Sequence, residues 1–250
     1  MTPRLSILAL VCAAAMGLAG CNNAEKLEAE RQARHARAAE AKATERLASF
    51  RQLQATGRDD LALNLAEDLV KSFPGTSAAK EVAPILEGLR TKVSADAEDR
   101  RLKGLWVYHS GHDAEAGGTV RSAYLYSSNT LGEAEPGKDA PRARLVLRRH
   151  PQWGDDVYLL TDRGHFSCAT PCSVSAQFDD AAGVTYPGKL PETGEPAMFV
   201  EDFKAIVEAL PNARKISFKV TLDDGSTHEP VFEVGGYDET TIGNPSRPAN

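Results

Sequence analysis

The feature that most constrains this chain is a change of period near residue 104. Before it, apolar residues recur at helical spacing; after it, short runs rich in β-branched and aromatic residues alternate and are broken by turn signals. A segment patterned every 3.6 residues does not settle as a strand, and one patterned every two does not settle as a helix, so the chain divides into a helical part and a β part. The fold class this predicts is α+β. It has an N-terminal helical stalk and a helical hairpin, followed by an all-β, sandwich-like domain with one accessory helix.

Residues 24–50 are rich in Ala, Glu, Arg and Lys, contain no Gly or Pro, and read as continuous helix. Apolar residues other than Ala are limited to Leu27, Leu47 and Phe50, too few for a heptad seam, so residues 21–50 are expected to form a solvated helical spacer. Gly57 interrupts the pattern, and Asp59 stands where an N-cap belongs, ahead of Leu61, Leu65, Leu69 and Val70. Pro74 and Gly75 end that helix. Thr76 or Ser77 can cap the next, whose apolar face is Val82, Ile85, Leu86 and Leu89. A helical hairpin over 51–95 follows, with the charged segment 91–103 as a linker or the end of the third helix. The run from Leu69 to Ala78 resembles the inter-repeat turn of tetratricopeptide-like lipoproteins, but it occurs once, and a solenoid needs about three repeats.

The β domain is expected over 104–238. Its strands are Leu105–Tyr108, Val120–Tyr126, Ala143–Leu147, Val157–Leu160, Val174–Phe178, Ile216–Leu222 and Val231–Val234. Asp223-Asp224-Gly225-Ser226 reads as the hairpin turn between the last two, because Asp-Gly supplies the positive φ of a tight turn. Phe199, Phe203, Ile206, Val207 and Leu210 share a helical face that Pro211 closes. Residues 239–250 read as a disordered tail.

Residues 1–20 have the layout of a secretory signal peptide: Arg4, an apolar stretch from Leu5 to Leu18, and small residues before Cys21. Leu18-Ala19-Gly20-Cys21 resembles the lipobox of bacterial lipoproteins. The resemblance implies cleavage between Gly20 and Cys21, lipid on Cys21, and a chain held at a membrane with its remainder in the periplasm. Asn22, where an aspartate would imply inner-membrane retention, favours the outer membrane. No apolar run after residue 20 approaches the roughly 20 residues that span a bilayer, so the lipid anchor is the expected attachment.

In the β part, the succession Leu145-Val146-Leu147-Arg148, Asp156-Val157-Tyr158-Leu159, Val174 to Asp179, Met198-Phe199 and Phe232 to Tyr237 is similar to the motif order of periplasmic β-sandwich proteins of the VasI/TagO and invasion-associated locus B type. The resemblance covers about 100–240. It implies a secretion-associated or envelope accessory protein without catalytic apparatus, and it does not account for Cys168 and Cys172.

With Cys12 lost in the signal and Cys21 lipidated, Cys168 and Cys172 remain. Spaced Cys-x3-Cys around Thr170-Pro171, they read as a disulfide in an oxidising compartment. A thiolate metal site that adds His165 lacks a fourth ligand, so no metal is expected. His109-Ser110-Gly111-His112-Asp113 groups two imidazoles and a carboxylate, but after a strand and with a glycine it reads as an exposed polar loop. Asp155-Asp156, Asp179-Asp180 and Asp223-Asp224 read as turn and strand-end charges and not as calcium ligands. No nucleophile elbow, His-Glu-x-x-His helix or phosphate loop occurs, so no catalytic residue and no cofactor are expected. The net charge of −6 disfavours a nucleic-acid partner. Trp106 and Tyr108 share one strand face, and Tyr124 and Tyr126 share another; whichever pair faces solvent is a binding surface. The resulting expectation is a non-enzymatic binding or accessory module of the envelope or a secretion system, with a protein partner. The alternative is an immunity lipoprotein that sequesters a toxic periplasmic enzyme.

Overall fold

The computed structural model describes the backbone of residues 11–242 and the side chains of residues 23–242. The first half of the expected signal peptide, the side chains of its second half and the side chain at the expected acylation site, Cys21, therefore lie outside the described residues, as do residues 243–250 of the expected tail. The chain is α+β and divides into two compact units at Ala95/Asp96.

The first unit contains α1 (Val11–Ala55), α2 (Asp59–Ser72), α3 (Ser77–Val82), a single 3-10 turn at Ala83–Ile85, and the start of α4 (Leu86–Lys103). Residues 23–38 of α1 are exposed throughout, as a solvated spacer should be. The rest of that expected spacer carries one buried stripe on an otherwise exposed helix. Ala43, Leu47 and Phe50, at i, i+4 and i+7, are buried against Ala62, Ala66 and Leu69 of α2 and against Ala78 and Val82 of α3. The buried stripe of α2 is rotated by one position from the expected one: Leu61 is 37% exposed, and Ala62 and Ala66 are fully buried. Alanine at these positions lets the helix backbones approach closely, which an all-leucine stripe would prevent. Asp59 is the first helical residue rather than the cap; Arg58 holds the cap position and makes no side-chain cap bond. Thr76, by contrast, accepts the Ala79 N–H at 3.3 Å as the cap of α3. Residues 91–103 belong to α4, not to a linker.

Among the described residues of the second unit eleven strands pair antiparallel: β1 (Val107–Asp113), β2 (Gly118–Tyr126), β3 (Ala143–His150), β4 (Gly154–Thr161), β5 (Phe166–Ser167), β6 (Ser173–Phe178), β7 (Val184–Lys189), β8 (Ala197–Val200), β9 (Ile216–Leu222), β10 (Thr227–His228) and β11 (Val231–Phe232). The main path runs β1-β2-β3-β4-β8-β7-β6-β9-β10, with β5 and β11 also on β9. The count exceeds the expected seven. Four strands escaped because they are short, polar, or carry Pro187 and Gly188.

Alternate residues of β2, β3, β4, β6, β8 and β9, among them Leu125, Leu145, Leu159, Ala176, Met198 and Phe218, form one shared core, giving a sandwich-like arrangement. The chain after β2 ties to that around β11. Ser128 N–H donates to Val231 O at 2.7 Å, Val231 N–H to Asn129 Oδ1 at 2.8 Å, and Asn129 Nδ2 to Glu229 O at 2.8 Å. The accessory helix α5 (Phe203–Ala209) begins at Asp202, whose carboxylate accepts the Ala205 N–H at 3.0 Å, and it buries Phe203, Ile206 and Val207. Phe199 is not part of it but lies in β8. The tail expected from 239 begins instead with α6 (Glu239–Ile242), which buries Ile242 completely.

Candidate functional site

Strand parity decides which aromatic pair faces solvent. Trp106 is buried in the core, 5.1 Å from the Tyr237 ring, and its indole N–H donates to Val234 O at 3.2 Å. Tyr108 is half-buried beside it and accepts the Asp238 N–H at 2.7 Å. Tyr124 and Tyr126 are on the opposite, outer side, with Tyr126 43% exposed.

The register then builds a surface. Val107, Tyr124, Val146, Tyr158, Phe199 and Lys189 stand side by side on six strands, and Tyr126, Arg144 and Leu160 form the adjoining row. The aromatic groups touch: the Tyr158 and Phe199 centroids are 5.2 Å apart, and those of Tyr124 and Tyr126 6.2 Å in edge contact. The Arg144 guanidinium lies over both Tyr126 at 4.9 Å and Tyr124 at 5.2 Å. Its Nε is buried without a hydrogen-bond partner. Arg148 spans the Trp153 ring at 5.0 Å and the Tyr158 ring at 5.3 Å, and its Nη2 reaches the Asp156 carboxylate at 2.5 Å. Burial beneath these groups raises the Tyr158 phenol above its ordinary pKa, partly offset by the positive charge of Arg148.

Trp153 completes the rim at the β3–β4 turn, 64% exposed and stacked on His150 at 3.8 Å. His150 holds that turn: its Nδ1 accepts the N–H groups of Gln152 and Trp153, each at 3.2 Å. An accepting Nδ1 carries no proton, so in the neutral ring the proton is on Nε2, which points to the Asp113 carboxylate at 3.6 Å. Asp113 is held below the ordinary carboxylate range by the amides of Ala116 and Glu115, with His150 adding to the effect.

The other sequence-derived candidates are distributed as follows. His109 to Asp113 is not a loop; it belongs to β1, paired residue for residue with β2. Along a strand a spacing of three puts His109 and His112 on opposite faces, so they do not converge on one ion. His109 instead stacks on Tyr124 at 5.9 Å. Cys168 and Cys172 are bonded to each other with Cα atoms 5.3 Å apart, and His165 faces Asp223 at 3.5 Å. Among the described residues no group of three His, Cys, Asp or Glu side chains is arranged to hold a metal. Asp155 and Asp156 face Arg149 and Arg148, and Asp179 accepts the backbone N–H groups of Arg214 and Lys215. Beside Phe199 an acidic cleft of about 600 Å³ contains Asp155, Asp156, Glu201 and Asp202, but Asp202 caps α5 and the first two are the arginine partners just named. The turn at Asp223–Ser226 is present, with Leu222 N–H donating to Ser226 O at 2.9 Å. No helix among the described residues is long and apolar enough to cross a membrane. Sequence reasoning missed Trp153, Arg144 and Arg148. Alternation of Arg144 and Arg148 with Leu145 and Leu147 was the available signal.

No family model and no curated protein matches the chain. Among solved structures it is similar to the crystal structure of invasion associated protein B from Bartonella henselae, over 53% of this chain and 85% of that one, at 14% identity and a TM-score of 0.34. A likeness of that size carries no argument about activity or partners.

Proposed function

We propose that the chain is a periplasmic lipoprotein, anchored by lipid on Cys21 in the outer membrane, whose β unit acts as a non-enzymatic binding module of the envelope or a secretion system. The observation that carries the binding reading is the outer face of the sheet. Its exposed and half-buried members are Tyr126, Tyr124, Arg144, Arg148 and Trp153, drawn from the residue types that dominate binding energy at protein interfaces. The anchor is supported by the resemblance of Leu18–Cys21 to a lipobox, and the envelope setting by the resemblance of the motif order to that of the periplasmic β-sandwich proteins.

A photoreactive residue at Tyr126 in the full chain, expressed in its own cell, is expected to give one discrete protein adduct, whereas the same residue at exposed Lys204 on α5 gives none. Equal or absent adducts from the two positions overturn the binding face. An adduct to a toxic enzyme that this chain inhibits replaces the accessory role with immunity. Cys21→Ser is expected to abolish fatty-acid labelling; unchanged labelling overturns the anchor.

A further inference from the structure

The sheet path begins at β1, and that edge is left open. Its seven residues pair one-to-one with β2 without a bulge, and their backbone groups bond to no other segment among the described residues. Edge strands are ordinarily blunted by shortness, lysine, proline or a bulge. β10, at the opposite end of the path, is two residues long. β1 has none of these devices, and Val107 on it is 38% exposed. Backbone groups arrayed at strand spacing are complemented only by another extended backbone, which fixes the class of occupant.

The side chains narrow it further. Ser110, Arg121, Arg149 and Asp155 stand side by side on β1, β2, β3 and β4. The row thus holds two guanidinium groups and one carboxylate: Asp155 lies 3.5 Å from Arg149 Nε, and Arg121 has no carboxylate partner among the described residues. Arg149 Nε faces Asp155 without closing a hydrogen bond, and its buried Nη2 has no partner, so the row is short of acceptors. The open end of the row is Ser110, whose small side chain leaves the way clear. A residue on an added strand opposite Ser110 is two strand spacings from Arg121, about 10 Å, a gap that a glutamate and an arginine reaching toward each other close.

We propose that β1 is a strand-accepting edge: a partner polypeptide pairs along Val107–Asp113 and places a carboxylate opposite Ser110, at the open end of the arginine row. The neighbours of that acidic residue fall on the outer face, where Val107 and the His109–Tyr124 stack receive apolar side chains, so the partner segment alternates apolar residues with an acidic centre. This inference rests on the reading of the β unit as a binding module and names the form of its partner.

The test uses the full chain and a fluorescein-labelled seven-residue probe with valine at the odd positions, threonine at the second and sixth, and glutamate at the fourth, followed by fluorescence anisotropy. Saturable binding is expected, weakened about tenfold or more when alternate probe amides are N-methylated. Arg121→Ala and a glutamine-for-glutamate probe should each weaken it about threefold, with no further loss when combined. Absence of saturable binding, or equal binding of the N-methylated probe, overturns the proposal. So does a chain that sediments as a dimer dissolved by Gly111→Pro, because the edge is then taken by a second copy; where that variant fails to fold, the N-methylated probe decides. Loss of probe binding with the Tyr126 adduct retained overturns the edge alone and leaves the binding face standing.

Discussion

At the scale of single residues, two glycines separate backbone strain from steric clash. Gly225 has φ +82° and an added Cβ would meet nothing within 4 Å, whereas Gly236, at φ +79°, would set its Cβ 2.7 Å from the backbone nitrogen of Lys103. Gly225→Ala is expected to cost about 1 kcal/mol and Gly236→Ala about 3 kcal/mol, measured by chemical denaturation; equal costs would show that the Lys103 contact is dispensable. Carboxylates held low in the folded chain govern the acid response: Glu135, Glu195, Asp224 and Asp238 are lowered by local hydrogen bonds, and three more tie separate segments together. Hydrogen bonding from Arg101 holds both Glu98 and Glu233 below the ordinary carboxylate range, and the Ala116 amide does the same for Asp113. Their folded pKa values lie below the unfolded ones, so the unfolded chain takes up protons first on acidification. Their contribution is complete above the ordinary carboxylate pKa of about 4 and is lost as pH falls through the depressed folded values. The melting temperature is therefore expected to hold from neutral pH to about 5 and to fall below about 4, and Glu233→Gln should make the fall shallower. A melting temperature that rises in acid contradicts this account.

At the scale of elements, the Cys168–Cys172 bond closes a short ring next to β6, and Gly188 of β7 makes room for it: a Cβ there would lie 2.9 Å from the Cys172 sulfur. Replacing both cysteines by serine is expected to lower stability by about 2 kcal/mol while leaving binding at the outer face intact, as read by calorimetry and by the Tyr126 adduct. Unchanged stability would mean the ring constrains nothing. The same strand shows where pattern reading stops. Pro187 and Gly188 argue against a strand, yet β7 pairs on both sides because Pro187 still offers its carbonyl to the Glu201 N–H at 2.8 Å. β8 was misread because Phe199 falls in register with the helical face of α5, and four apolar residues carry no period of their own. Only the start of β1 is legible as a strand; His109–Asp113, its polar remainder, reads as a loop because an edge strand with little buried surface needs no apolar alternation. α1 is legible from its Ala, Glu, Arg and Lys content, and the later helices and the longer strands because each buries one stripe or one face. The face carrying Tyr124 and Tyr126 was legible as a face, but which side met solvent depended on strands too short to see.

At the scale of the whole molecule, each unit has a core of its own, around Phe50 and Leu69 in one and around Leu145 and Phe218 in the other. Within the second unit the connections differ in length along the chain. β1 to β4 pair with their sequence neighbours, while the stitch from Asn129 to Val231 joins residues 102 apart and the bond from Trp106 to Val234 residues 128 apart. Closing a long loop costs entropy that is recovered only once the ends meet, so the hairpins of the first four strands can form early and the stitch late. An interaction made after the rate-limiting step is felt on the return journey alone. Asn129→Ala is accordingly expected to speed unfolding several-fold, for a loss of about 1–2 kcal/mol, and to leave the folding limb of the chevron where it was. A slowed folding limb would place the stitch inside the nucleus. The native lifetime of this unit, as distinct from its equilibrium stability, thus depends on the seam between the loop after β2 and the segment at β11, made last and broken first.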